Sequence, residues 1–449
     1  MALGRRNQRS RVPGIDDKPP SRADDTLAPM TSKERVEAAL AHREADRVPV
    51  DFGATAVSGV HVSVVYGLRQ AFHLDPPGTP VKIVEPYQLL GEIQLDLVDA
   101  MGVDAIPLPA PRTMFGFPNA DWKEWALPDG TPVLVPGGFN TEFNADGSIF
   151  LYPQGDKSAP PSGLMPKGGN FFDAIVRQDP IDEDNLNVED NLEEFGPISE
   201  ADLAHYKREI ERLEETGKAI VGNFGGTAFG DIGLVPAVNL LHPKGIRDIA
   251  EWYMSTAIRT DYVRELFTRQ CEIGLANLAR VHEVVGDRVV GTLLTGTDFG
   301  TQRGPFISRE SYNDLFAPFH RRVNDWVHEH TNWKCMIHSC GSVVDLLPDF
   351  IEAGFDVFNP VQCSAAGMDP HILKKRFGDR ITFWGGGINT QQTLPFGTPE
   401  DVRREVRERI EAFGPGGGFV FNAIHNVQAK TPIPNMMAMF EALSEFRAY

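Results

Sequence analysis

Short runs of apolar, often β-branched residues recur along the chain at 48–52, 103–108, 219–224, 289–295, 334–339, 355–361, 381–385 and 418–423. Most are apolar without alternation. A strand that shows one face to water alternates with period two, so an unbroken run predicts a strand covered on both faces. Between the runs lie segments with helical spacing, at 87–101, 200–216, 246–282, 309–330, 341–353, 370–377 and 399–413, and a last helix is predicted over 435–446. Strand–helix alternation predicts a parallel sheet. Eight such units predict an α/β fold of the closed (β/α)8 TIM-barrel type; the alternative is an open doubly wound sheet. No Gly-x-Gly-x-x-Gly follows the first strand, and the glycines of Gly222-Asn-Phe-Gly-Gly-Thr227 have a different spacing.

Residues 111–198 break the alternation. They are rich in Pro, Gly, Asn, Asp and aromatics, among them Phe115, Phe117, Trp122, Trp125, Phe139, Phe143, Phe150, Tyr152, Phe171 and Phe172. Turn signals at Pro128-Asp-Gly130 and Asp146-Gly147 predict hairpins. This reads as an aromatic-rich insertion after the second strand. On a barrel it would leave the strand C-termini and form a lid or wall of the site; the plainer reading is that its aromatics pack it onto the barrel.

Residues 1–29 carry Arg5, Arg6, Arg9 and Arg11, then Asp16, Asp17, Asp24 and Asp25, with no apolar stretch, so they read as a disordered tail rather than a secretory signal. Met30 is an alternative start. Thr31-Ser-Lys-Glu34 is a capping box for a helix over 34–42, and residues 30–449 form the expected barrel.

Charge and composition narrow the function classes. Lys and Arg number 43 against 62 Asp and Glu, a net charge of −19. A general nucleic-acid binder needs a basic face to displace counterions, so that class is excluded. No run approaches the roughly 18 apolar residues of a membrane span. Four cysteines, at 271, 335, 340 and 363, are too few for a disulfide framework. They read as reduced thiols or metal ligands of a cytoplasmic protein.

The chemistry-bearing motifs fall at strand ends. Ile337-His-Ser-Cys-Gly341 closes the fifth strand. Alternate strand residues point the same way, so His338 and Cys340 can offer an imidazole and a thiolate together. The eighth strand runs out at Phe421-Asn-Ala-Ile-His-Asn426, which puts His425 at the same end. His338, Cys340 and His425 would be three zinc ligands with one position open, the catalytic pattern. The plainer reading of a His-x-Cys pair is core or loop. Asp298, in Thr297-Asp-Phe-Gly-Thr-Gln302, is a candidate acid/base, metal-shell carboxylate or substrate anchor; capping of the next stretch is equally open. Gln362 and Asn389 end strands and could orient substrate, and Trp384 could line a pocket or pack. Gly385-Gly-Gly387 could cradle a ligand. Cys271, Cys335 and Cys363 are poorer ligand candidates.

From Thr31 onward the chain resembles the uroporphyrinogen decarboxylase superfamily. The resemblance is carried by Glu34-Arg-Val36, Asp46-Arg-Val-Pro-Val50, Asp298-Phe-Gly-Thr-Gln302, Ile307-Ser308, His338-Ser-Cys-Gly341, Asn359-Pro-Val-Gln362, Gly385-Gly-Gly387, His425-Asn426, Pro432 and Pro434-Asn435. It implies a (β/α)8 barrel and one of two chemistries. The decarboxylase branch grips an octacarboxylate with an Arg-rich motif after the first strand. Here Asp51-Phe-Gly-Ala-Thr-Ala-Val-Ser-Gly-Val-His61 has no arginine. The other branch resembles zinc-dependent methyltransferases that exchange a methyl group with a corrinoid protein. Its third ligand, often Cys, precedes a Lys-Thr-Pro stretch, where this chain has His425 before Lys430-Thr-Pro432.

The resemblance therefore implies zinc on His338, Cys340 and His425. Asp298 and Gln302 would assist catalysis, and Gln362, Trp384 and Asn389 would bind substrate. A cobalamin-type corrinoid would come from a separate protein. Asp369-Pro-His371 lacks the glycine of a corrinoid-binding motif. The expected donor is a small methoxy or methylamine compound, because two imidazoles and one thiolate make a stronger Lewis acid than a thiolate-rich set. The alternatives are a decarboxylase-like lyase on a smaller substrate and a non-catalytic binding member. A homodimer is the default assembly.

Overall fold

The computed structural model describes Met1 and residues 30–449, so the expected tail, Met1 apart, lies outside the described residues. Seven strands form one parallel sheet: β1 (Ala105–Pro107), β2 (Ala219–Gly222), β3 (Gly291–Thr295), β4 (Lys334–His338), β5 (Val357–Asn359), β6 (Thr382–Trp384) and β7 (Phe419–Val420). They lie side by side in chain order. The first expected strand, 48–52, forms isolated bridges only. Val50 pairs in parallel with Phe421 beyond β7, and Asp51 pairs in parallel with Ala105 of β1. Asp51 N–H donates to Phe421 O at 2.9 Å, and Asp104 N–H donates to Val50 O at 2.7 Å. One segment thus bonds both edges of a curled parallel sheet, a TIM-like arrangement.

The two-sided burial inferred from unbroken apolar runs is visible in the side chains. Ala105, Val221, Leu293, Met336, Val357, Trp384 and Val420 face inward as one cluster. Their neighbours Ile106, Ile220, Leu294, Ile337, Phe358, Phe383 and Phe419 join the larger core outside the sheet. The inner cluster is completed by Val36, Ala39 and Leu40 of α1 (Ser32–Leu40). The capping box forms as expected, with Thr31 and Glu34 bonding reciprocally. Lys33 N–H reaches Gly217 O at 3.1 Å and Gly418 N–H reaches Ala39 O at 3.1 Å, so α1 closes the N-terminal end of the sheet. Buried Arg35 holds it there through Asp104 at 2.5 Å and Asp46 at 2.6 Å.

Several elements differ from expectation. The helix expected over 87–101 is only Leu95–Ala100, and Leu90–Gly91 pairs instead with the strand Val81–Glu85. The Glu85 carboxylate accepts the N–H groups of Tyr87 and Gln88, each at 2.8 Å, and Leu89 takes φ +53°. That turn reverses the chain where the apolar spacing alone suggested a helix. The expected helices 246–282 and 309–330 are each two helices, Ile249–Ile258 with Thr260–Val285, and Arg309–Leu315 with Ala317–His330.

Residues 111–198 contribute strands to two small sheets. One joins Leu90–Gly91, Val81–Glu85, Pro132–Val135 and Lys123–Ala126; the other joins Thr141–Phe143, Ile149–Leu151, Gly163–Met165 and Asp173–Ala174. Phe115, Phe117, Phe139 and Phe172 are buried in the main core, whereas Phe143 and Phe171 are exposed.

Candidate metal centre

His338 is the last residue of β4, and its alternation partner Met336 lies in the inner cluster. The strand period of two therefore sends His338 inward as well. Cys340 follows two residues later, and its Sγ lies 3.4 Å from His338 Nε2. His425 arrives from the chain beyond β7, its ring centroid 5.4 Å from that of His338. One ligand atom from each of the three lies within 4.8 Å of the other two. The structure thus brings together, from two segments 85 residues apart in sequence, the donor set that the spacing suggested.

Two glycines set the loop geometry. Gly341 has φ +85°, and a Cβ on it would sit 2.5 Å from the Gly300 carbonyl carbon. A Cβ on Gly300 would in turn sit 2.5 Å from Cys340 O. The His338–Gly341 loop and the Asp298–Gln302 loop therefore touch backbone to backbone. Cys340 N–H donates to Asp298 Oδ1 at 2.6 Å, and Phe299 N–H donates to Ser339 Oγ at 3.0 Å. Asp298 is thus occupied in holding the cysteine loop rather than in capping a helix.

Behind the cluster runs a line of hydrogen bonds. His338 Nδ1 lies 2.6 Å from Asn359 Oδ1. Asn359 Nδ2 donates to Trp384 O at 2.7 Å, and Trp384 Nε1 donates to Asp51 Oδ2 at 2.8 Å. Burial raises the Asp51 carboxyl to about 6.

The electrostatics disfavour a free thiolate. Burial, with Asp298 and then Asp231 nearby, pushes the Cys340 thiol well above its usual range. Asp231 is raised by burial and by Asp298, and Tyr253 by burial and by both carboxylates. Burial, with His338 beside it, lowers His425 to about 3, so its imidazole is neutral at ordinary pH. Two imidazoles, that of His425 neutral, and a thiol crowded by carboxylates fit a divalent cation, whose charge would reverse the penalty on the thiolate. Asp231 and Tyr253 belong to this neighbourhood but carry no motif that reveals them. Asp231 sits in a loop beyond β2 and reaches the site only through the fold.

The remaining candidate residues are placed as follows. Gln362 accepts Gly341 N–H at 2.8 Å, so it braces the cysteine loop. Asn389 accepts the N–H groups of Gln391 at 2.8 Å and Gln392 at 3.1 Å, a local turn. Trp384 is fully buried with its indole N–H taken by Asp51. Gln302 is exposed, and its backbone carbonyl accepts Ala366 N–H. The glycines at 385–387 serve packing: a Cβ on Gly386 would meet Val361 at 2.8 Å, and one on Gly387 would meet the Phe421 ring at 2.4 Å. Burial raises Cys271 and Cys363 to about 11 and Cys335 well above its usual range, as befits inert thiols.

A second group, His328, Cys335 and Asp356, lies at the start of β4. There Asp356 already pairs with His328 at 2.7 Å and Lys334 at 3.1 Å, an ion-pair network in which the Lys334 ammonium would repel a cation.

Residues 297–446 match the family model described as uroporphyrinogen decarboxylase (URO-D). The match begins beside Asp298 and takes in all three clustered residues. The URO-D of Pseudoalteromonas translucida is 36% identical over 90 residues, which is 19% of this chain and 25% of that protein. That of Pseudoalteromonas atlantica is 22% identical over 212 residues, 44% of this chain and 57% of that protein. The chain thus spans about a quarter to just over half the length of these URO-D relatives. In fold it is similar to a methyltransferase from Methanosarcina mazei, with a TM-score of 0.53 and 17% identity over 93% of this chain and 99% of that one. Residues 297–446 thus resemble URO-D, and the fold is TIM-like. Among the described residues no helix is long and apolar enough to cross a membrane.

Proposed function

We propose that the protein is a zinc-dependent methyltransferase that moves a methyl group from a small methylated donor, of methoxy or methylamine type, to a corrinoid carried by a partner protein. The observation that carries this reading is the convergence of His338, Cys340 and His425 within 4.8 Å at one end of the parallel sheet. Zinc held by these three residues would supply a Lewis acid for the donor heteroatom. The rest falls to the chain itself. Asn359 orients His338, and Asp298 fixes the Cys340 backbone. Gln362 braces Gly341. The fold keeps the cluster at the strand ends, where loops can admit donor and partner.

Charge supports a small donor over a porphyrinogen octacarboxylate. The charged groups that shift Tyr253 and Cys340 are the carboxylates of Asp298 and Asp231, with no arginine or lysine among them. A polyanion would meet repulsion there.

Two assays test the reading. Protein produced with zinc should contain about one equivalent by elemental analysis. It should also demethylate at least one member of a methoxy and methylamine panel when cob(I)alamin is supplied, followed by the loss of the cob(I)alamin absorbance. Zinc-free protein that decarboxylates uroporphyrinogen would overturn the reading in favour of a lyase. Zinc-free protein inert in both assays would overturn it in favour of a binding role.

A further inference from the structure

We infer that Asn359 is a positioning residue that holds His338 as a pre-set Nε2 ligand, whereas His425 must break a hydrogen bond to join the same site. The inference rests on the metal reading above and goes beyond it by ranking the ligands.

The argument is one of donors and acceptors. Asn359 Nδ2 donates to the Trp384 carbonyl at 2.7 Å, which leaves Oδ1 as the atom facing His338 at 2.6 Å. An amide oxygen can only accept, so His338 Nδ1 carries the proton. In a neutral imidazole Nε2 is then bare, and Nε2 is the atom 3.4 Å from Cys340 Sγ. His425 has the opposite arrangement. The backbone N–H of Asn426 donates to His425 Nδ1 at 2.8 Å. A backbone amide can only donate, so His425 Nδ1 is bare, its lone pair is taken, and its proton sits on Nε2. Coordination through either nitrogen of His425 requires that bond to break or the proton to move. His338 gives up only the hydrogen bond that its Nε2 accepts from the Cys340 thiol, and that bond goes in any case when the thiol binds as a thiolate.

Asn359 is well placed for this role. It ends β5 beside β4, is 2% exposed, and its own backbone carbonyl accepts Ser339 N–H at 2.7 Å. The amide is therefore pinned on both sides, and the His338 ring is pinned through it. Partners of this kind set the tautomer and basicity of a ligating histidine.

The test uses the full-length protein, with side-chain ¹⁵N histidine spectra of the metal-free form assigned by His338→Ala and His425→Ala variants. The expected result is Nδ1–H for His338 and Nε2–H for His425. The second arm measures Co²⁺ and Zn²⁺ affinity by competition with a chromophoric chelator. Asn359→Leu, checked for folding by circular dichroism, should lose roughly 10–100-fold in affinity and its fixed His338 tautomer. Asn359→Asp, which keeps an acceptor, should retain both. Identical tautomers for the two histidines, or unchanged affinity in Asn359→Leu, would overturn the inference. If the wild-type protein shows the expected tautomers yet takes up neither ion, the metal reading fails, and the ligand ranking with it.

Discussion

Gly341 and Gly300 face each other so closely that a Cβ on either would fall 2.5 Å from the other loop's backbone. The contact locks the cysteine loop against the loop that carries Asp298. Gly341→Ala adds that Cβ at a φ of +85°, so the loops must part or the backbone must strain, at a cost of about 1–3 kcal/mol. Urea unfolding should show the loss, and metal affinity should fall with it, because Cys340 moves.

Removing a ligand should be more damaging to metal binding than to folding. His338→Ala and Cys340→Ala should each leave less than about a tenth of the wild-type zinc after gel filtration. Elemental analysis of matched preparations checks this. Full occupancy in both variants would show that the cation sits elsewhere.

The indole of Trp384 is the partner of the buried Asp51 carboxylate. Trp384→Phe leaves a smaller ring and removes the donor to Asp51 Oδ2, while Ala54 N–H still serves Oδ1; the lost hydrogen bond should cost about 1–3 kcal/mol. Adding Asp51→Leu to Trp384→Phe should recover part of the loss, since the unpaired oxygen is gone and only the Ala54 N–H loses its acceptor. A double-mutant cycle in urea measures the coupling, and strictly additive losses would argue against the pair.

Glu85 gives a pH signature. Loss of water contact raises its carboxyl from 4.5 to about 7, only partly offset by the N–H groups of Gln88 and Tyr87. The folded state thus holds the proton more tightly than the unfolded chain. The associated stability is complete below about pH 4.5 and is lost as pH rises towards 7. Asp51 acts in the same sense between 3.8 and about 6. Glu85→Gln should flatten the upper part of this slope. Denaturant midpoints measured from pH 5 to 8 on both proteins check it.

Arg35 is 2% exposed and bonds Asp104 and Asp46. Arg35→Met leaves Asp104, itself 1% exposed, without its closest cation. A loss of about 3–5 kcal/mol is expected by equilibrium unfolding. Truncation on the exposed face of the same helix, at Glu37, should cost less than about 0.5 kcal/mol.

Much of this protein was legible in the chain because the signals are local. Unbroken apolar runs marked β1 to β7, since a strand buried on both faces has no polar positions to alternate. Thr31 and Glu34 announced α1, because a capping box closes within one turn. His338 and Cys340 were legible as a pair because the strand period fixes i and i+2 on one side. The turn at 85–91 was not legible. It depends on a Glu85 carboxylate that leaves water, and apolar spacing does not record side-chain hydrogen bonds. Nor did spacing reveal that the side-chain oxygens of Gln362 and Asn389 accept backbone N–H groups.

By itself, then, the sequence determined the parallel strand order, the capped first helix, the acidic balance and the residue types able to hold a cation. Tertiary structure alone decided that His425 meets His338, that Asp231 and Tyr253 stand nearby, and that Asn359 rather than a carboxylate sets the His338 tautomer. The physical reason is range. Propensity and periodicity act over a few residues, whereas the centre is assembled from segments some 85 residues or more apart that only the curled sheet brings to one end.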